Sequence, residues 1–133
     1  MHDNEALVRR LYQAIADRAP AAEIATYWHP RAQQIEYPSL MRPSGHRRPL
    51  REMLDGYAKG LALIAQQDHT VLNVVVDDDR MAVQARWNAT TAIEAGPLPA
   101  GAELVAFVAL FYDFEDGLIL RQSTYDCYEP LPT

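Results

Sequence analysis

Apolar residues recur at helical spacing in two stretches of the chain and at strand spacing through most of the rest. Val8, Leu11, Tyr12 and Ile15 fall on one face of a helix, with Asp3 or Asn4 placed to cap its start and Ala19-Pro20 to end it. A short second helix over about Ala21 to Trp28 starts behind Pro20 and stops before Pro30, because the residue preceding a proline resists the α conformation. Gln33 to Tyr37 reads as a short strand closed by Pro38, and Ser39 to Arg48, rich in Pro, Gly and Arg, as a loop. A third helix begins at Pro49, a residue suited to a first helical turn, and carries Leu50, Leu54, Tyr57, Leu61 and Ile64 as its apolar stripe. Gly56 and Gly60 weaken that helix by about 1 kcal/mol each relative to alanine and would permit a close backbone approach.

From Asp68 onward the pattern is that of strands. Thr70 to Val76 and Met81 to Glu94 flank a turn at Asp77-Asp78-Asp79-Arg80. After a loop from Ala95 to Gly101, Ala102 to Phe114 and Leu118 to Tyr128 form a hairpin turning at Glu115-Asp116-Gly117. Helices on one face of an antiparallel sheet make an α+β fold, expected as a single domain over residues 1–133.

The last strand carries the most chemical information. Period-two alternation puts Leu120, Gln122, Thr124, Asp126 and Tyr128 on one face. If that face looks inward, polar groups stand where a core would take leucine, and each costs roughly 2–7 kcal/mol if buried without a partner. Such a face implies a wet or ligand-filled cavity, or a satisfied internal network. The opposite face (Ile119, Arg121, Ser123, Tyr125, Cys127) is also mixed, so periodicity leaves the inward side open.

A net charge of −6 disfavours nucleic acid and anionic membrane as partners, since both need a basic surface. No stretch approaches the roughly 18 apolar residues of a membrane span. The single cysteine, Cys127, cannot form an internal disulfide, and Met1 to Glu5 lacks the basic start and apolar run of a signal peptide. The expectation is a cytoplasmic protein.

Several segments in this order carry a family resemblance: Ala6 to Tyr12 in the first helix, Ile35-Glu36-Tyr37-Pro38, Val83 to Trp87, Asp116 to Ile119, and Tyr125 to Tyr128. Over nearly its whole length the chain resembles the NTF2-like superfamily, in its SnoaL-like and ketosteroid-isomerase-like branches. The resemblance implies a cone-shaped α+β barrel, with N-terminal helices on a curved, mostly antiparallel sheet around a pocket, and a homodimer formed through the sheet. Such a fold hosts isomerases, cyclases, hydrolases, dehydratases and non-catalytic modules, so it does not name a reaction.

Matching the final strand to its isomerase counterpart places Asp126 at the pocket, with Gln122 and Thr124 deeper on the same wall. Tyr12 matches the first-helix tyrosine that donates to the oxyanion. Two isomerase groups are replaced: the base before the proline by Tyr37, leaving Glu36 facing out, and the second oxyanion donor approximately by Leu110. Limonene epoxide hydrolase is similar at Arg86-Trp87-Asn88, but Asn88 and Thr124 stand where it has acids. Neither steroid isomerisation nor that hydrolysis follows by the same route. SnoaL-like cyclases often carry a late aspartate as acid or base, and Asp126 fits that pattern. The implied chemistry is proton transfer without a cofactor on a small, largely apolar, cyclic ligand. Asp126 and Tyr12 would be catalytic, and Trp28, Tyr37, Tyr57, Arg86, Trp87, Asn88, Gln122 and Thr124 would line the site.

Other features have plainer explanations. His29, His46 and His69 lie in separate segments without ligand-like spacing, which argues against a metal site. Arg42, His46, Arg47, Arg48 and Arg51 form the one basic cluster, which reads as a solvated loop or as a patch that steers an anion. Asp77 to Asp79 lacks the spacing of a calcium loop.

Overall fold

The computed structural model describes residues 2–131. Helix α1 (Asn4–Ala16) starts under the Asp3 carboxylate, which accepts from the Ala6 amide at 2.9 Å. It ends as Arg18 turns left-handed (φ 58°) and the Ala19 amide bonds back to Ala14. The Arg18 side chain then donates to the carbonyls of Leu61, Ile64 and Ala65, capping helix α3 (Leu50–Leu63) and fixing the two helices together.

Between them, α2 (Ala21–Ile24) runs through a 3-10 turn into β1 (Trp28–Glu36). The strands that follow are β2 (His46–Pro49), β3 (Ile64–Asp77), β4 (Arg80–Thr91), β5 (Glu103–Glu115) and β6 (Leu118–Tyr128). They form one six-stranded sheet in the order β2-β1-β6-β5-β4-β3. Only β1 and β6 pair in parallel; the remaining neighbours are antiparallel. The sheet does not close on itself, and the three helices pack against it to form an open α+β cone, the architecture that the NTF2-like resemblance implies.

Several boundaries differ from those read in the sequence. Residue Trp28 opens β1 rather than ending a helix, and Pro30 is accommodated because pairing with β6 is interrupted between Trp28 and Gln33. The basic loop contains β2, which pairs with β1 from Gln33↔Pro49 to Glu36↔His46. Gly45 permits this return: at φ +65° an added Cβ would lie 2.6 Å from the Glu36 carbonyl oxygen. Residue Pro49 precedes α3 instead of opening it, and Ile64 begins β3 instead of ending the helical stripe.

At the β5–β6 turn, Asp116 and Gly117 both take positive φ, the two-residue geometry that matches strand twist. Soon after it, the pairing shifts from Phe114↔Ile119 to Asp113↔Arg121. The extra residue, Leu120, is a bulge that moves Ile119 onto the inner face, where it is fully buried, and leaves Gln122 to resume that face. The even-numbered stripe expected from Leu120 onward therefore runs inward only from Gln122.

The core lies between α1 and the concave side of the sheet. Val8, Leu11 and Tyr12 pack with Met81, Val83, Leu110, Tyr112, Phe114 and Ile119. Burying Val8 or Leu11 contributes about 1.5–3 kcal/mol each.

Candidate active site

Above this core the cone encloses a cavity of about 340 Å³, within the size range of small-molecule sites. One wall is β6, where Gln122, Thr124, Asp126 and Tyr128 face inward. Beside it, β1 contributes Trp28, Gln34 and Glu36, and β2 contributes Arg48. Tyr12 of α1, Gln67 and His69 of β3, Trp87 of β4, and Met53, Gly56, Tyr57 and Gly60 of α3 also line it. The two glycines make no close packing contact: an added Cβ at Gly56 would come no nearer than 3.8 Å to Arg48, and at Gly60 it would meet nothing within 4 Å. They border open space rather than a tight backbone crossing.

A chain of hydrogen bonds runs along the base of the cavity. Gln34 Nε2 donates to Gln122 Oε1 at 2.8 Å, Gln122 Nε2 donates to the Tyr112 hydroxyl at 3.0 Å, and the Tyr112 and Tyr12 hydroxyls lie 2.6 Å apart. Tyr112 is almost wholly buried, and its other hydrogen-bond partner among the described residues, Gln122, already donates to it. The geometry of this pair admits either phenol as donor; with Gln122 already donating to Tyr112, both phenols are satisfied when Tyr112 donates to Tyr12. In that arrangement Tyr12, which lines the cavity, has its proton available there. Burial and the neighbouring phenol raise the Tyr12 pKa well above its ordinary value, and burial pushes Tyr112 up to about 12, so both remain protonated at neutral pH. His69 stacks on Tyr12 with ring centroids 4.5 Å apart, and burial lowers its pKa to about 4, making it a neutral imidazole there.

On the β6 wall, desolvation and then the negative charge of Glu36 raise Asp126 to about 6. Desolvation, with Asp126 and Glu36, also pushes Tyr128 up to about 12. The cavity thus holds a carboxyl that titrates close to neutrality and a phenol free to donate. This pairing can take a proton from a carbon or water while holding the oxygen that gains charge.

Asp126, Tyr12, Trp28, Tyr57, Trp87, Gln122 and Thr124 all lie on the cavity wall. The Tyr57 hydroxyl is committed to the Ala19 carbonyl at 2.7 Å, and Trp87 Nε1 donates to Gln67 at 2.9 Å. Three expected residues stand elsewhere. Tyr37 is on the outer side of the sheet, stacked on Tyr125 with centroids 4.5 Å apart. Arg86 and Asn88 alternate with the inward Ala85 and Trp87 on β4; they bond to each other at 2.6 Å and do not line the cavity. Conversely, Glu36 points in where it was expected to face out, because Tyr37 takes the outer position in the same alternation. Arg48, His69, Gln34 and Tyr112 are additions that only the folded chain brings to the site.

A separate group, His29, Glu115 and Asp116, brings three donors within 4.8 Å of one another. Both His29 nitrogens are engaged, Nδ1 by the Arg31 amide at 3.0 Å and Nε2 by Glu115 at 3.0 Å, and Arg31 also holds Glu115. No helix among the described residues is long and apolar enough to cross a membrane.

An open α+β cone around a polar-walled cavity is the build of a small-molecule-binding domain. The SnoaL-like domain model matches residues 8–122, and the chain belongs to that family. Among solved structures it is similar to AclR of Streptomyces galilaeus, a proposed hydroxylase (TM-score 0.78, 17% identity, covering 96% of this chain and 81% of that one). It is also similar to IdmH of Streptomyces antibioticus, a proposed polyketide cyclase (0.77, 20%, 94% and 92%). A SnoaL-like polyketide cyclase of Agrobacterium tumefaciens matches with TM-score 0.70 at 20% identity, over 95% and 92% of the chains. At these identities the likeness establishes the fold. No functionally curated protein matches the chain significantly.

Proposed function

We propose that this protein binds a small, largely apolar, cyclic carbonyl compound in its cone and catalyses proton transfer on it without a cofactor. The reaction would be an isomerisation, aldol-type cyclisation, dehydration or hydrolysis. The observation that carries this reading is that Asp126, its proton affinity raised toward neutrality, and the Tyr12 hydroxyl line one cavity. Asp126 moves the proton; Tyr12 holds the oxygen that becomes negative; Gln122 and Thr124 orient the ring. The family, and the proposed cyclase and hydroxylase among its structural neighbours, support a small-molecule ligand.

A thermal-shift screen of ketones, lactones and polyketide-like aromatics tests the binding. A ligand at about 100 times its dissociation constant stabilises by roughly 2.7 kcal/mol. Turnover of a hit should fall at least about tenfold in Asp126→Asn; a smaller fall with folding intact would sink the acid–base assignment. Binding with no reaction to abolish would leave a non-catalytic ligand-binding module.

The outer sheet face supports a homodimer. Tyr37, Phe107, Phe111 and Tyr125 are there 37–48% exposed, an aromatic surface suited to a second copy of the chain. Exposed, unpaired Cys127 suits a reducing compartment such as the cytoplasm.

A further inference from the structure

Among the described residues, five buried side-chain atoms have no hydrogen-bond partner: Asn4 Oδ1, Trp28 Nε1, Arg48 Nε, Arg48 Nη2 and His69 Nδ1. All but the first belong to residues that line the cavity. An orphaned buried polar atom costs about 1–3 kcal/mol. Their concentration around one space points to an occupant that satisfies them. Trp28 Nε1 and the two Arg48 nitrogens can only donate, so the occupant must bring acceptor oxygens.

Arg48 narrows this further. It is only 8% exposed, and its Nη2 lies 2.9 Å from Glu36 Oε1 without the alignment of a hydrogen bond. Glu36 therefore pairs with Arg48 in charge, while no group among the described residues completes an aligned hydrogen bond to Nε or Nη2. The Nε–Nη2 edge offers two parallel N–H bonds, the fork that fits a carboxylate in bidentate fashion. Arg42 Nε also approaches Glu36, at 3.8 Å, so two guanidinium groups share one carboxylate on this side of the site. The other ionisable lining groups are Asp126, His69 and the tyrosines Tyr12, Tyr57 and Tyr128. None of them supplies the missing acceptor to Arg48 among the hydrogen bonds formed. Leu11, Ile24, Met53, Val108 and Leu110 give the rest of the wall its apolar character.

We propose that the ligand is a carboxylic acid, an apolar ring compound whose carboxylate docks on the Nε–Nη2 edge of Arg48. Arg48 is then the residue that selects an acid over its neutral analogues. The inference rests on the cavity being the ligand site, as proposed above, and adds the chemical class. Both nitrogens are buried, so Glu36 is the side chain that gives way when a carboxylate arrives, and Arg42 lies beside it. Removing the Glu36 charge should therefore tighten acid binding.

Isothermal titration of the full chain with benzoate, cinnamate and 2-naphthoate, each against its primary amide, tests this directly. At least one acid should bind about tenfold or more tightly than its amide, as expected for charge-assisted hydrogen bonds. That preference should fall below about twofold in Arg48→Gln, and acid affinity should rise severalfold in Glu36→Gln with amide affinity unchanged. If Arg48→Gln does not fold, Glu36→Gln decides alone: unchanged or weaker acid binding overturns the proposal. Equal affinity for acids and amides, or a preference that survives Arg48→Gln, overturns it while leaving the cavity as the ligand site. Absence of binding by acids and amides alike overturns both readings.

Discussion

Strand β5 turns Leu110, Tyr112 and Phe114 inward as a core strand would, whereas β6 beside it turns polar groups inward, and both strands carry exposed aromatics on the outer face. On the inner face, Gln122 and Thr124 are 6% and 7% exposed and are followed by Asp126; on the outer face, Phe107, Phe111 and Tyr125 stand 45–48% exposed. A sheet that only supported a core would put the aromatics inside and the amides out. The inner polarity is held at Gln122 by its bonds to Gln34 and Tyr112, and where that network ends the unpaired donors begin. The outer apolarity has no such internal explanation. On the proposed reading, the inner face meets a small molecule and the outer face a second copy of the chain.

The sharpest way to break this contrast is at Asp126. Asp126→Asn removes the proton acceptor but no packing volume, and turnover should drop by about 10²–10⁴-fold, measured as kcat on an identified substrate. The Tyr12 hydroxyl comes next. Tyr12→Phe should lower kcat by about 10²–10³-fold, as expected for loss of an oxyanion donor, and should destabilise by about 1–3 kcal/mol in urea because the Tyr112 proton loses its acceptor. If Tyr12→Phe destabilises without affecting turnover, the Tyr12–Tyr112 pair is a structural strut only.

A smaller effect separates stability from catalysis. The Asp126 pKa is raised in the fold, so the native state holds its proton more tightly than the unfolded chain does. Its contribution to stability is fully present below about pH 4 and is lost as pH rises from about 4 to about 6. Across that window wild type should lose about 1–2 kcal/mol relative to Asp126→Asn, after discounting for partial contact with solvent. Parallel urea titrations at several pH values check this; parallel curves would mean that the carboxyl is solvated. On the outer face, Phe111→Glu should convert a dimer to monomers in sedimentation while changing monomer stability by no more than about 0.5 kcal/mol. A dimer that survives Phe111→Glu would move the interface elsewhere.

The sequence disclosed the elements whose local signals agree with their tertiary roles. Helix α1 shows a 3.6-residue stripe and an acidic cap, and the β5–β6 turn carries Asp-Gly, so both were legible to within a residue or two. The first half of β3 was not, because Ile64-Ala65-Gln66-Gln67-Asp68-His69 is a mostly polar run on an edge strand that follows α3 without a breaker. Pro30 concealed the start of β1, since the interruption that tolerates it exists only in the pairing with β6.

The site divided along the same line. Gln122, Thr124 and Asp126 were readable from alternation together with a family likeness. The inward turn of Glu36 and the outward turn of Tyr37 were not, because a partly buried glutamate is stabilised by Arg48 beside it, and that pairing arises through β2. His69 was unreadable for a related reason: its neutrality and its stacking on Tyr12 depend on burial between α1 and β3.

The central claim, that the inner face forms a desolvated site around a working carboxyl, can be tested without knowing the substrate. Carbon-13 NMR of the side-chain carboxyls, with Asp126→Asn to assign the resonance, would follow the Asp126 titration directly. A midpoint of about 6 is the expected result. A midpoint near the ordinary aspartate value of about 3.9 would mean that water reaches the carboxyl freely, and would contradict the account.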